Sequence, residues 1–227
     1  EICKMGNSRQ VSLVAFYGRK PSTLEHLLTK CQAMVSEALQ ADFQPYAMPQ
    51  IHGTIVGMEK TCGPGFVNKN LLEFTGRNKE MDLAGFAHYL SSSMIFPIRV
   101  RFGGYDPSAV PFTSRGAPPY ERAFSLQQEK AVLIGWPISR KMTTDSKETT
   151  AETPKGFPLT LDQIRRQAGH FNIRHAYHRY ENDIDNDFYL RLGHTSIGNA
   201  EARRRKTLEE RCRRWIYINP VEVDLSL

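Results

Sequence analysis

The sequence predicts an α+β fold, and three observations lead there. Short apolar runs ending in glycine, such as "VSLVAFYG" and "FYLRLGHTSIG", read as strands. Amphipathic segments with helical spacing separate them. No strand is followed by GxGxxG or GxxxxGK[ST], so the alternation does not read as a doubly wound nucleotide-binding sheet.

"VSLVAFYG" (Val11 to Gly18) is the first strand. In "KPSTLEHLLTKCQAMVSEAL", Ser22 and Glu25 have the spacing of a capping box. Leu24, Leu27, Leu28, Cys31, Met34, Val35 and Leu39 then recur on one helical face. "QIHGTIVGME" is a second strand, and the Gly-Pro-Gly of "TCGPGFVNKN" marks a turn. "DLAGFAHYLSSSM" reads as a helix. "FPIRVRFGGYD" alternates Ile98, Val100 and Phe102 against Arg99 and Arg101, the pattern of a half-buried strand. "AFSLQQEKAVLIGWPI" folds back on itself at a tight "QQEK" turn.

The Thr- and Lys-rich stretch from Ser139 to Phe157 lacks large apolar residues and reads as a polar loop or insertion. Thr160, with Gln163 after it, is the expected cap of the next helix. "FYLRLGHTSIG", the helix "NAEARRRKTLEERCRRW" and the strand "IYINPVEVDLSL" close the chain.

At 227 residues the chain fits one large domain or two small lobes. A hydrophobic fraction of 40%, with 12 Phe, 9 Tyr and 2 Trp, supplies a core and excludes a disordered chain. No apolar run approaches the roughly 20 residues of a membrane span. "EICKMGNSRQ" shows no secretory leader. The chain begins with Glu1 rather than Met, which leaves a longer precursor open. Cys3, Cys31, Cys62 and Cys212 are scattered, with no CxxC pair. That usage suits a reducing compartment, the cytoplasm first, though the nucleus also fits. A net charge of +6 favours anionic partners such as phosphates or RNA.

Two strands carry the chemistry. "HGTIVG" begins at His52 and "HTSIG" at His194, and each histidine stands two residues before a hydroxyl, Thr54 or Ser196. Residues i and i+2 of a strand share a face, so each imidazole sits beside its own hydroxyl. None of the other five histidines has a serine or threonine at that spacing. In-line cleavage of a phosphodiester needs a base on one side of phosphorus and an acid on the other. Histidine serves both roles, with an unperturbed pKa near 6.5. Hydroxyl donors stabilise the charge that develops on the phosphate oxygens. Two such donors and an imidazolium supply a positive field without a metal or cofactor. The bland alternative is a pair of core histidines bonded to neighbouring hydroxyls.

At "IHGTIVG" and "LGHTSIG" the chain resembles the 2H phosphoesterase superfamily. That group includes RNA 2',3'-cyclic phosphodiesterases and 2'-5' RNA ligase-like proteins. The strand-helix-strand layout before the first motif and the closing strand "VEVDLSL" fit it as well. The resemblance implies one bilobal domain over 1–227, pseudo-twofold symmetric, with antiparallel sheets lining a central cleft and helices outside. It implies that His52 and His194 divide the base and acid roles while Thr54 and Ser196 bind phosphate. The motifs stand 142 positions apart, longer than in compact members. The expected activity is hydrolysis of a 2',3'-cyclic phosphate or 2'-5' linkage in RNA or a nucleotide, by a monomer that does not bind membranes. The rival reading is a module that binds a nucleotide or RNA end in the same cleft without turnover.

Further candidates are weaker. Tyr17 and Trp136 end strands and could stack a base. Arg99 and Arg101 share a strand face and could meet phosphate, or simply be solvated. "EARRRKTLEERCRR" carries seven basic and three acidic residues, which suits a solvated helix or an RNA-backbone contact. His170, His175 and His178 cluster in "HFNIRHAYH", but a metal site wants convergent ligands and this stretch leads out of a helix towards a loop, so no metal is expected.

Overall fold

The computed structural model describes residues 11–61, 65–139, 156–196 and 202–226. The strands are β1 (Val11–Ala15), β2 (Phe43–Pro45), β3 (Gly53–Met58), β4 (Ile98–Phe102), β5 (Phe124–Gln127), β6 (Lys130–Pro137), β7 (Phe188–Thr195) and β8 (Val221–Leu225). The helices are α1 (Ser22–Leu39), α2 (Lys69–Thr75), α3 (Leu83–Ser92), α4 (Pro119–Arg122), α5 (Thr160–Gln167) and α6 (Ala202–Ile218). All strand pairs are antiparallel, in one sheet of order β1-β3-β7-β6-β4-β8. The architecture is therefore a mixed α+β fold in which helices flank a multi-stranded antiparallel sheet.

Two short strands complete the sheet and create a fork. β3 meets β7 through Gly53↔Leu190, and β2 takes over the same strand through Pro45↔Gly193, Gln44↔His194 and Phe43↔Thr195. His52, immediately before Gly53, thus stands where the neighbour of β7 changes from β3 to β2. Beyond β7 lies β6, with Lys130 opposite His194 and Val132 opposite Arg191.

Both motif strands carry a bulge. In β3 Thr54 pairs with Val14 and Val56 with Leu13, so Ile55 has no partner in β1. In β7 Gly193 pairs with Ala131 and Arg191 with Val132, so Leu192 is the extra residue. A bulge shifts which side chains face which side of the sheet. On β7 the buried set is Phe188, Leu190 and Leu192, then Gly193 and Thr195. Arg191 and His194 therefore share the outer face despite their odd spacing.

α1 and α6 pack together, and they cover the other face of the sheet through β7, β8 and β5. The seven periodic apolar residues of α1 are all buried. They join Leu208, Cys212 and Ile216 of α6 and the inward residues of the strands. A second, smaller aromatic cluster forms around Tyr105, Tyr120 and Trp136, with Phe112 and Phe157 packed on it.

Several local expectations change. Ser22 and Thr160 are the first helical residues, and Pro21 and Leu159 hold the cap positions without side-chain bonds. The cap of α5 comes from elsewhere: Asn186 Oδ1 accepts from the amides of Leu161 and Asp162 at 3.1 and 3.3 Å. "IYI" continues α6 rather than starting the last strand. β2, α2 and α4 do not appear in the sequence reading. The expected polar loop lies outside the described residues from 140 to 155, as do 62–64 of the Gly-Pro-Gly turn. Among the described residues no helix is long and apolar enough to cross a membrane.

Candidate functional site

The outer face of β3, β7 and β6 forms one wall of a cleft of about 660 Å³. His52, Thr54 and Glu59 line it from β3 and the residues beside it, Tyr189 and Arg191 from β7, and Lys130 from β6. The rest comes from chain segments that cross this face, including Tyr46, Arg115, Tyr177 and Asp185.

Close packing sets the two histidines. A Cβ at Gly53 would fall inside the ring of Phe188, so only glycine lets the start of β3 approach β7. Gly193, before His194, likewise has no room for a Cβ against Phe43 and the carbonyl of Gln44. His52 Nδ1 lies 2.7 Å from the carbonyl of Gln50. A carbonyl only accepts, so Nδ1 carries a proton, and in the neutral ring Nε2 presents the lone pair. Tyr17 meets the His52 ring edge-on at 5.7 Å.

His194 is placed by a second tyrosine. Its Nε2 lies 2.8 Å from the Tyr46 hydroxyl, and the two rings are 5.3 Å apart in an edge arrangement. Tyr46 is itself fixed to β7, because its amide donates to the Leu192 carbonyl at 2.9 Å. Gln32 of α1 donates to the carbonyls of both Tyr46 and Leu192.

His52 and Thr54 line the large cleft, whereas His194 and Ser196 line an adjoining hollow of about 260 Å³ with Asp42 and Glu129. Tyr46 belongs to the large cleft and bonds to His194, so it links the two. Thr54 makes no side-chain hydrogen bond among the described residues. The Ser196 hydroxyl donates to Asp42 Oδ1 at 3.0 Å.

The remaining candidates line neither the cleft nor the smaller hollow. Tyr17 is 69% exposed beside His52. Trp136 is buried, and its indole donates to Asp187 Oδ1 at 2.6 Å, so its ring belongs to the aromatic cluster. Arg99 and Arg101 sit on β4, near the far edge of the sheet. Arg99 bonds to Asp224 through two nitrogens, and Arg101 bonds to Glu222, each its direct partner across the β4/β8 pair. On α6, Arg204 reaches Asp42, Arg205 and Arg213 reach Glu209, Arg211 reaches Glu37 and Arg214 reaches Glu210.

The floor of the cleft holds groups that the sequence reading did not select. Arg165 of α5 is 97% buried by side chain, with 3% exposed. Its guanidinium donates to the carbonyls of Ile55 (2.8 Å), Thr54 (3.2 Å), Asp185 (2.7 Å) and Asp187 (3.0 Å). It thereby rivets the bulge of β3 to the segment that leads into β7. Its charge faces Asp185 at 3.3 Å. Arg115 also reaches Asp185 and Asp187, and it stacks on Tyr177 with its guanidinium carbon 3.9 Å from the ring centroid.

His175 Nε2 lies 2.7 Å from Asp185 Oδ2. Burial drives the histidine down; the Asp185 bond opposes this without reversing it, and the Arg165 charge adds to the fall. His175 is therefore a neutral donor, and its Nδ1 is buried without a partner among the described residues. For Asp185, burial acts upward but is outweighed by the His175 bond and the Arg165 and Arg115 charges. Its carboxyl lies well below the usual carboxylate range. His178 bonds to Asp162 in the same way, at 2.8 Å. His175, which lines the cleft, and His178, which does not, each hold a separate carboxylate. The signal for these residues was the density of charge in "RHAYHRYENDIDND", where no periodicity marks which groups are buried.

No family model, curated protein or solved structure matches this chain.

Proposed function

We propose that the cleft hydrolyses a phosphodiester, a 2',3'-cyclic phosphate or a 2'-5' linkage in RNA or a nucleotide, without a metal. The observation that carries this reading is the 2.7 Å contact of His52 Nδ1 with the Gln50 carbonyl. The Nδ1–H is committed to the Gln50 carbonyl, so the lone pair of Nε2 is available as a base beside the free hydroxyl of Thr54. In this reading His52 takes a proton from water, and the resulting oxygen attacks phosphorus. The bond to the ribose oxygen breaks, and that oxygen takes a proton that originates on His194. Because Tyr46 lines the cleft and bonds to His194 Nε2, the proton passes through its hydroxyl. Thr54 donates to a non-bridging oxygen, and Ser196 does so once its hydroxyl leaves Asp42.

The bilobal, pseudo-twofold arrangement belongs to the same proposal. It is supported by a local likeness between the motif strands. Each carries a bulge near its histidine, and each histidine meets edge-on a tyrosine that follows a short antiparallel strand. A reducing compartment, the cytoplasm or nucleus, is also part of it, and the free thiols Cys31 and Cys212 accord with that.

The test is incubation with a panel of cyclic nucleotides and 2'-5' oligomers in chelator. Wild type should hydrolyse at least one, and His52→Ala or His194→Ala should abolish turnover while the protein stays folded. Full activity in either variant overturns the reading. One observation favours a binding module instead: His194 and Ser196 face a separate hollow that also holds Asp42 and Glu129. Such a module would bind the same ligands unchanged by wild type and would tolerate glutamine at either histidine.

A further inference from the structure

Four cations line the cleft, and they divide into two kinds. Arg115 and Arg165 are paired with Asp185 and Asp187 on the floor, where Asp187 also takes Arg122 at 2.6 Å. The side chains of Lys130 and Arg191 make no ion pair and no hydrogen bond among the described residues, although both line the same cleft as His52 and Thr54. Their placement follows from the sheet. Lys130 pairs directly with His194 across β6 and β7, so the two side chains share a face. Arg191 reaches that face because Leu192 is bulged, and its guanidinium lies 6.0 Å from the Tyr189 ring centroid.

The nearby carboxylates do not answer these two charges. Glu59 lines the cleft but accepts from Asn70 at 2.9 Å. It stands seven positions beyond His52, roughly 20 Å along an extended chain. Asp42 is bonded by Ser196 and lies 3.6 Å from Arg204. Glu129 faces the smaller hollow rather than the cleft. Two cations with no partner among the described residues therefore border the wall where a ligand would meet His52.

We infer that Lys130 and Arg191 are the anion-binding pair of this cleft and take the phosphate oxygens of a nucleotide ligand. Arginine presents a planar fork of donors and lysine a point charge, and both are common partners of phosphate. The identity of the ligand as a nucleotide rests on the phosphodiesterase reading; its negative charge rests on the cleft alone. The pair binds the ligand in ground and transition state alike, so its removal acts mainly on affinity.

The experiment titrates the whole chain with uridine and adenosine 3'-monophosphates and with the matching uncharged nucleosides. Turnover of the corresponding 2',3'-cyclic phosphates is measured in parallel. Lys130→Gln and Arg191→Gln should each weaken monophosphate binding about tenfold, the scale of one lost charge-assisted bond. They should leave nucleoside binding unchanged and flatten the salt dependence. Lys130→Arg and Arg191→Lys should retain most of the affinity, which separates lost charge from misfolding. If wild type turns over the cyclic phosphates, the glutamine variants should raise KM with kcat little changed.

Monophosphate binding that depends on both residues, with no turnover of any substrate, supports the pair and removes the phosphodiesterase reading. Turnover by wild type with unaltered KM and affinity in both glutamine variants does the reverse. A wild type that binds monophosphate no better than nucleoside overturns the pair outright.

Discussion

Arg165 holds Ile55 by its main chain: Nε donates to the Ile55 carbonyl at 2.8 Å, at the one residue of β3 that lacks a partner in β1. The break in the β1/β3 ladder is thus where Arg165 ties the strand. Arg165→Met keeps the side chain's bulk and removes the donors. It strands four carbonyls and removes a charge facing Asp185, so a loss of about 3–5 kcal/mol is expected. Denaturant unfolding of the variant measures it. An unchanged midpoint would mean that water satisfies those carbonyls.

Gly53 and Phe188 form a second tight relationship. Gly53→Ala forces its methyl into a fully buried ring and should cost about 1–3 kcal/mol. Phe188→Leu opens space, so the double variant should be more stable than the sum of the two single losses predicts. A double-mutant cycle on unfolding free energies reads this coupling, and simple additivity counts against the contact.

The cleft floor should make stability fall on the acid side in two stages. The folded His175 value lies below its unfolded value of about 6.5, so the unfolded chain takes up the proton first as pH drops. Its contribution is complete above about 6.5 and erodes below it. Asp185 is also depressed in the folded state, so its contribution is complete above about 4 and is lost as pH falls towards the folded value. Tm measured from pH 8 to pH 3 should show both declines. His175→Gln should remove the first, and Asp185→Asn should flatten the second while lowering Tm at neutral pH. Profiles parallel to wild type in both variants would dissociate the pair from acid sensitivity.

Tyr46→Phe removes the hydroxyl 2.8 Å from His194 Nε2 and keeps the ring. If the proton passes through that hydroxyl, kcat on a cyclic phosphate should fall nearly as far as in His194→Ala, by about a hundredfold or more. A loss of only a few-fold, the scale of one neutral hydrogen bond, would limit Tyr46 to orienting the imidazole.

The core was legible because its signals are local. The seven apolar positions of α1 lie on one helical stripe, and all seven are buried. Arg99 and Arg101 were legible as one strand face, but their partners were overlooked. Glu222 and Asp224 in "VEVDL" repeat with the same period of two, a complementary pattern that could have paired β4 with β8. His52 and Thr54 stand before the bulge of β3, so simple alternation serves them. Strict alternation fails for His194, because it would place the imidazole with Leu190 and Leu192. The extra residue at Leu192 turns it outward instead, and nothing in "LRLGHTS" announces that. Lys130 reads only as part of a turn. Arg165, Asp185 and Asp187 gain their meaning from partners more than a hundred positions away or from an irregular segment, where no periodicity applies.

The sheet order also governs when the cleft can come into being during synthesis. β3 leaves the ribosome before the residues that secure it: Arg165 and the segment entering β7 are translated about a hundred residues later. β7 lies in the middle of the sheet although it is next to last among the strands in sequence. A nascent chain that ends before it has no central strand to join β3 to β6. Contacts of such sequence separation also slow folding. Translation must therefore run past Leu190 before the first histidine motif acquires its final neighbours, which leaves a long interval in which β3 has only β1 beside it.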